Sequence, residues 1–563
     1  MDRRDFLRAV GLTAGVSGAA AFLAACNANE QSGSGGQSAA VSAGGTLYIL
    51  TDQTSQHLDP AKSQNLAITT TGLIHRKLTA WKTSADSPAT VVPDLATDTG
   101  RASADGKTWT FTLKDGQKMA DGTPITSAEI KYGIERSFDA AFSGGLGYHK
   151  TLLEGGSSYT GPFKGGDLAS IETPDAKTIV FHLTRPYGDW PWIVSMPAFS
   201  PVPKGKGTDA SYDSTPVCSG PYQVAAYTKG VEVRLTRNPN WDAKSDLARN
   251  GLPDAVVIQL GQETGVVAQR LLASSGNDAT AFGSSFVNPA QLAQVRSNPA
   301  AKNQLVTSKS GALAYLALNT KRGPLANPQV RQAFQYAVDK TAYQIASAGS
   351  ADLAGPIATT LITEGIAGRE VFDLYPAPPN GDVAKAKQLL AEAGFPNGID
   401  NLDFPVSTAN NDADKAQALQ AALQRAGIRT KLRPLDDDAW TAVVTGNDGS
   451  YDLTLGSWQP DFPSANANIE PLFGTSEIGN GGYNEARYSV PEVDALIAQA
   501  QGTVDVAAAG KLWAQADRRI LQDSPVVPLI YTRNSFLHGS KVGDFTIGEF
   551  PAYPNYLQIG LAK

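Results

Sequence analysis

Trp109-Thr110-Phe111-Thr112-Leu113, followed by Lys114-Asp115-Gly116-Gln117-Lys118 and Asp121-Gly122-Thr123-Pro124-Ile125-Thr126, decides how the chain is read. Apolar and hydroxyl residues alternate from Trp109 to Leu113, the period of a strand with one buried face. Lys114-Asp115-Gly116 and Asp121-Gly122-Thr123-Pro124 carry turn residues. Thr126 then stands three residues before Glu129, the spacing of a capping box, and Ile130, Ile134 and Phe138 follow at i, i+4 and i+8. The stretch predicts a strand, a turn and a capped helix with one apolar face.

The same grammar extends in both directions. Thr46–Leu50, Thr178–Leu183, Val231–Leu235, Asp254–Leu260 and Leu313–Thr320 read as strands, the last apolar enough to be buried on both faces. Val266–Ala273 reads as a helix, and Asn327 caps another with Pro328 at its first position. Helices over Val383–Ala393 and Ala413–Ala426 each stop at a glycine, and Ile428–Leu435 and Tyr451–Trp458 follow as strands. Two more helices, one starting at Pro491 and one marked by Leu512, Trp513, Ala516 and Ile520, precede the strand Val526–Tyr531. Helix and strand alternating in this way predict α/β lobes with mainly parallel sheets.

The N-terminus reads as an address. Arg3-Arg4-Asp5-Phe6-Leu7-Arg8 is a charged segment, and the 17 residues Ala9–Ala25 are mildly apolar, short of the roughly 20 that span a bilayer core. Leu23-Ala24-Ala25-Cys26 resembles a bacterial lipobox, which implies cleavage before Cys26 and lipidation of its thiol. Arg3 and Arg4 resemble the twin-arginine export motif, beside the alternative of an ordinary positive leader. Residues 1–25 therefore read as a signal peptide and 26–45, rich in Gly, Ser, Ala and Gln, as a lipidated flexible tether. Membrane attachment is expected through the lipid alone.

The 563 residues, 42% hydrophobic and 18% charged, suit a globular protein of two or three domains. The net charge is −7; the leader, with three Arg and two Asp, is +1, so the remainder is −8. That balance lacks the concentrated basic patch of a nucleic-acid binder. With Cys26 lipidated, Cys218 has no cysteine to pair with, and it reads as a buried core residue rather than a reactive thiol.

Catalytic patterns are missing from the sequence: no phosphate-binding glycine loop, no Gly-x-Ser-x-Gly and no His-Glu-x-x-His. The five histidines are scattered, so neither a metal site nor a cofactor is expected. Asp436-Asp437-Asp438 has two readings, a hard-cation site or the acidic start of a helix, and the second is preferred. The chain is expected to bind rather than catalyse.

Several ordered stretches resemble family 5 of the solute-binding proteins, the oligopeptide, dipeptide and nickel-binding components of ABC importers. They are Leu113–Arg136, Ser200–Lys204, Ser219–Tyr222, Arg237–Pro239, Tyr315–Thr320, Val330–Ala333 and Arg487–Asp494. The resemblance implies a two-lobed periplasmic-binding-protein-like α/β fold (type II, cluster C) with an extra α+β domain inserted in lobe one. Laid on this chain, lobe one is 46–85, 201–310 and 525–563, the insertion 86–200, and lobe two 311–524. The crossings would be Leu313–Thr320 and Val526–Tyr531, forming a hinge that closes on ligand.

By the same resemblance Asp461, in Gly456-Ser457-Trp458-Gln459-Pro460-Asp461, matches the carboxylate that pairs with a peptide's α-amino group; otherwise it caps the next turn. Trp458 is pocket wall or core. Gln53 and Thr54 lie where relatives touch ligand backbone, and Tyr483 and Asn484 near the cleft. The implied function is capture of short peptides for an ABC permease and ATPase by a monomer on the outer face of the cell membrane. Oligosaccharides or metal chelates are alternative ligands, and a sensor an alternative role.

Overall fold

In the computed structural model, residues 41–142, 144–409 and 411–562 are described. Arg3, Arg4 and Cys26 lie outside them. No helix among the described residues is long and apolar enough to cross a membrane.

The segment from Trp109 to Phe138 forms the strand and capped helix that its residues predict. Thr108–Thr112 is a strand and Ser127–Arg136 a helix, with Thr126 and Glu129 completing a reciprocal capping box. The strand sits in a four-stranded antiparallel sheet with Arg101–Ala102, Thr178–His182 and Ile171–Glu172. Arg136, at the helix end, makes a bidentate ion pair with Asp59, at 2.8 and 3.1 Å, with both side chains buried. This ties the insertion to Leu58-Asp59-Pro60.

The first lobe is built on a five-stranded sheet in the order Ala281–Gly283, Thr46–Leu50, Ala255–Gln259, Glu232–Arg237, Tyr222–Thr228. The first three are parallel and the last two antiparallel. Val41–Ser42, within the segment expected to be tether, is already a strand. It pairs with Leu561–Ala562, and the Gly44 amide donates to Leu252 O. Open edge groups of the C-terminal strand supply the hydrogen bonds that this Gly-Ala-Ser segment cannot make by itself.

The second lobe holds an antiparallel sheet, Leu453–Trp458, Leu313–Leu318 and Val526–Tyr531, beside the parallel pair Ile399–Ser407 and Ile428–Leu435. Leu316, Phe334, Leu390, Phe404, Leu419 and Leu423 fill its core. The expectation of mainly parallel sheets therefore fails here. The chain enters this lobe along the central strand Leu313–Leu318 and leaves along its neighbour Val526–Tyr531, so these two strands run in opposite directions. The crossings themselves are 308–312 and 532–534, just outside those strands, where Ser308 N donates to Asn534 O and Thr532 N to Ala312 O, each at 2.8 Å. Leu305–Thr307 and Ser535–Leu537 continue the pair into the first lobe.

Candidate functional site

A cavity of about 380 Å³ opens between the lobes beside these crossings. Phe286, Val287, Pro289 and Leu292 line it from the first lobe, Ala314, Ile530 and Thr532–Ser535 from the hinge strands and crossing, and Trp440, Thr441, Gly456–Gln459, Tyr483 and Glu485 from the second lobe. Its size lies within the range of small-molecule sites, and so does its mixture of apolar wall and a few polar groups.

Strand and helix starts position the polar groups. Leu453–Trp458 ends in the cavity wall and delivers Ser457, Trp458 and Gln459. The Trp458 indole donates to Ala467 O at 2.6 Å, and its ring lies 5.0 Å from that of Tyr483. Trp458 is thus both core and wall, because one edge of the ring is anchored while the residue still lines the space. Asp436 caps the helix Asp437–Thr445 through the Ala439 amide at 2.9 Å, which makes the acidic triplet a helix start. Asp412 and Lys415, at the far side, pair at 2.8 Å.

Buried polar atoms of two residues in the wall are left without partners among the described residues. Both amide atoms of Gln459 are shut off from solvent and unbonded, and so is Glu485 Oε2. Glu485 is 5% exposed. Burial raises its carboxyl to about 8, opposed by a hydrogen bond with the Tyr315 hydroxyl. A buried polar group without a partner costs roughly 1–3 kcal/mol, so groups of this kind in a cavity wall suit a ligand that satisfies them.

The expected residues fall into three groups. Trp458 and Tyr483 line the cavity. Asp461 does not line it; 9% exposed, it accepts a 2.5 Å hydrogen bond from Tyr148 of the insertion. Gln53 and Thr54 also lie outside the lining: Gln53 Oε1 accepts from Gln56 Nε2, and Thr54 is exposed. The Asn484 side chain is taken up by its own segment, donating to Gly474 O and Tyr488 O and accepting from the Tyr488 amide. Glu485 and Gln459 were not singled out from the sequence. Both sit within one residue of positions that were, but their isolation arises from packing, which no local pattern encodes.

Around Asp461 the insertion closes against the second lobe. Besides Tyr148, Asp189 accepts from Ser464 Oγ at 2.8 Å, Tyr187 Oη accepts from Asn466 Nδ2 at 2.8 Å, and the Gly188 amide donates to Gln501 O at 2.6 Å. Burial pushes the Asp189 carboxyl up to about 6, with hydrogen bonds from Ser464 and Asn466 opposing it. Among the described residues no group of three or more His, Cys, Asp or Glu is placed to hold a metal ion. Cys218 is buried, and burial pushes its thiol up to about 12.

Two lobes joined by a pair of crossing segments, with a cavity between them and an inserted domain closing one side, define a bacterial solute-binding protein of the two-lobed type II fold. The model for bacterial extracellular solute-binding proteins, family 5, matches residues 90–480, and the chain belongs to that family. It is 29% identical over 469 residues to heme-binding protein A of Haemophilus influenzae, covering 78% of this chain and 79% of that protein. To the glutathione-binding protein GsiB of Salmonella paratyphi A it is 26% identical over 453 residues, covering 79% and 81%. The solved structure of clavulanic acid biosynthesis oligopeptide binding protein 2 superposes with a TM-score of 0.86 at 29% identity, covering 93% of this chain and 97% of that one. The chain is therefore a substrate-binding component of the ABC-transporter type, and these relatives are binding proteins rather than enzymes.

Proposed function

We propose that this protein captures short peptides in the interlobe cavity and delivers them, as a monomer without catalytic activity, to an ABC permease and its ATPase. The observation that carries this reading is the cavity itself, walled by both lobes and holding unbonded buried groups from the second. Ligand bridging both walls binds the closed arrangement more tightly than the open one, which is the differential affinity that closure requires. Extended backbone can satisfy the Gln459 amide, whose donor and acceptor match a peptide unit. Asp461, two residues beyond Gln459 of the wall, takes the α-amino group; an incoming ammonium competes with Tyr148 for that carboxylate and adds an ion pair to the hydrogen bond it replaces.

A thermal-shift titration with di- to pentapeptides and their N-acetylated counterparts tests this. At one hundred times Kd a ligand adds about 2.7 kcal/mol to stability, and the expected result is an upward shift with unblocked peptides that largely disappears on acetylation. No shift with either set, together with a shift from oligosaccharides or a metal chelate, would replace the peptide reading.

The protein acts outside the cytoplasm, exported by the Arg3-Arg4 leader and held at the membrane through Cys26. In the source bacterium, Cys26→Ala is expected to move the protein from the membrane fraction to the soluble one. Unchanged membrane retention would rule the anchor out.

A further inference from the structure

We infer that Glu485 forms a subsite for a cationic side chain, so that the preferred ligands are peptides carrying a primary ammonium or guanidinium group. This rests on the peptide reading above and adds a second charge contact, separate from the α-amine assigned to Asp461.

The geometry begins at Gly456. This residue pairs with Tyr315 across the sheet, and a Cβ there would lie 2.3 Å from the Tyr315 ring and 2.5 Å from Glu485 Oε2. The missing side chain makes room in the cavity wall for the carboxylate. Glu485 Oε2 has no hydrogen-bond partner among the described residues, while its backbone carbonyl is held by the Tyr451 hydroxyl at 2.6 Å. The backbone is fixed and, although Tyr315 bonds to the carboxyl, one of its oxygens is left unsatisfied.

The surrounding charges do not neutralise it. Tyr315 from the neighbouring strand and Tyr451 are the titratable groups that act on it. Arg487, two residues away, is engaged by Asn447 O and Gly446 O. Of the charged groups lining the rest of the cavity, Asp412 and Lys415 pair with each other. Arg533 is held by the carbonyls of Lys309 and Asp352, and Asp437 accepts from Ser407 Oγ. A buried carboxyl in these surroundings stays protonated near neutrality and ionises when a cation arrives, so binding a basic ligand releases a proton.

Calorimetric titration of the purified protein with Gly-Lys-Gly, Gly-norleucine-Gly and Gly-(Nε-acetyl-Lys)-Gly tests the inference. The lysine peptide is expected to bind roughly tenfold or more tightly than the two uncharged analogues. In buffers of different ionisation enthalpy it is expected to release close to one proton at pH 7, and the uncharged peptides none. Glu485→Gln, isosteric and uncharged, is expected to abolish both the preference and the proton release. Should that variant fold poorly, the comparison of lysine and norleucine peptides on the unaltered protein decides alone. Equal affinities without proton release overturn the subsite and leave peptide capture standing. If no peptide binds but agmatine does, with loss in Glu485→Gln, the cation subsite stands and the peptide reading falls. Binding of neither overturns both.

Discussion

Replacing Asp94 with alanine is expected to destabilise the protein by about 3–5 kcal/mol, the cost of breaking a buried ion pair from one side. The side chain is completely buried, with Arg76 Nε 2.6 Å from one oxygen and Arg249 Nη2 3.0 Å from the other, and the Lys77 amide donates to the second at 3.1 Å. Asp246 closes the ring against Arg249 at 3.1 Å. Gln117 and Lys114, from the turn that follows the strand Thr108–Thr112, bond to Arg76 and to the Asp94 carbonyl. The network therefore fastens the insertion to the first lobe. Lys77 adds an excess positive charge that burial already drives down to about 7, and removing Asp94 would strand it with two guanidiniums.

The pH dependence has a definite sign. Burial alone would raise the Asp94 carboxyl, but Arg249 and Arg76 outweigh it and hold the group at about 2. A depressed carboxylate stabilises the fold above its unfolded value of about 3.9 and loses that contribution as pH falls toward 2. Urea melts at pH 7 and pH 3 measure both effects. The variant should differ from the parent by the full amount at pH 7 and by less at pH 3. A pH 7 difference below about 1 kcal/mol would show that the network does not stabilise the fold.

Gly456→Ala is the second large effect, and it joins stability to binding. The added methyl would meet Tyr315, itself 3% exposed, and Glu485, with no room for either to retreat into the sheet. Overpacking of this kind costs about 1–3 kcal/mol. The outlet is the cavity, so Glu485 and Tyr315 are expected to move into the ligand's space and weaken peptide binding by roughly tenfold. Thermal melting and calorimetry of one preparation read both quantities. Unchanged melting with unchanged affinity would mean that the strand absorbs the methyl and that Gly456 is not the opening in the wall.

What could be read from sequence was local chemistry. Thr126 with Glu129, Asn327 with Pro328, and the glycines after Val383–Ala393 and Ala413–Ala426 each encode a helix end within a few residues, and the helices stand where those signals put them. The strand Ile399–Ser407 carries no such signal: it lacks alternation and contains Pro405, and it exists because Ile428–Leu435 pairs beside it. Sheet direction in the second lobe was misread because alternation of helix and strand says nothing about a strand that enters from another lobe. The site divides in the same way. Trp458 and Tyr483 stand beside motifs legible in the sequence, whereas Asp461 meets Tyr148 across 313 residues of chain and Glu485, on a turn, meets Tyr315 of a strand far away in sequence, contacts that exist only in the folded chain.

Capture of ligand between the two lobes is read out by amide hydrogen exchange of the protein with and without a binding peptide. Protection is predicted in two places at once, at Val287–Leu292 of the first lobe and at Trp440–Thr445 with Ser457–Gln459 of the second, because ligand and closure shield both walls together. Protection confined to one wall, or to surface segments away from the cavity, would contradict it.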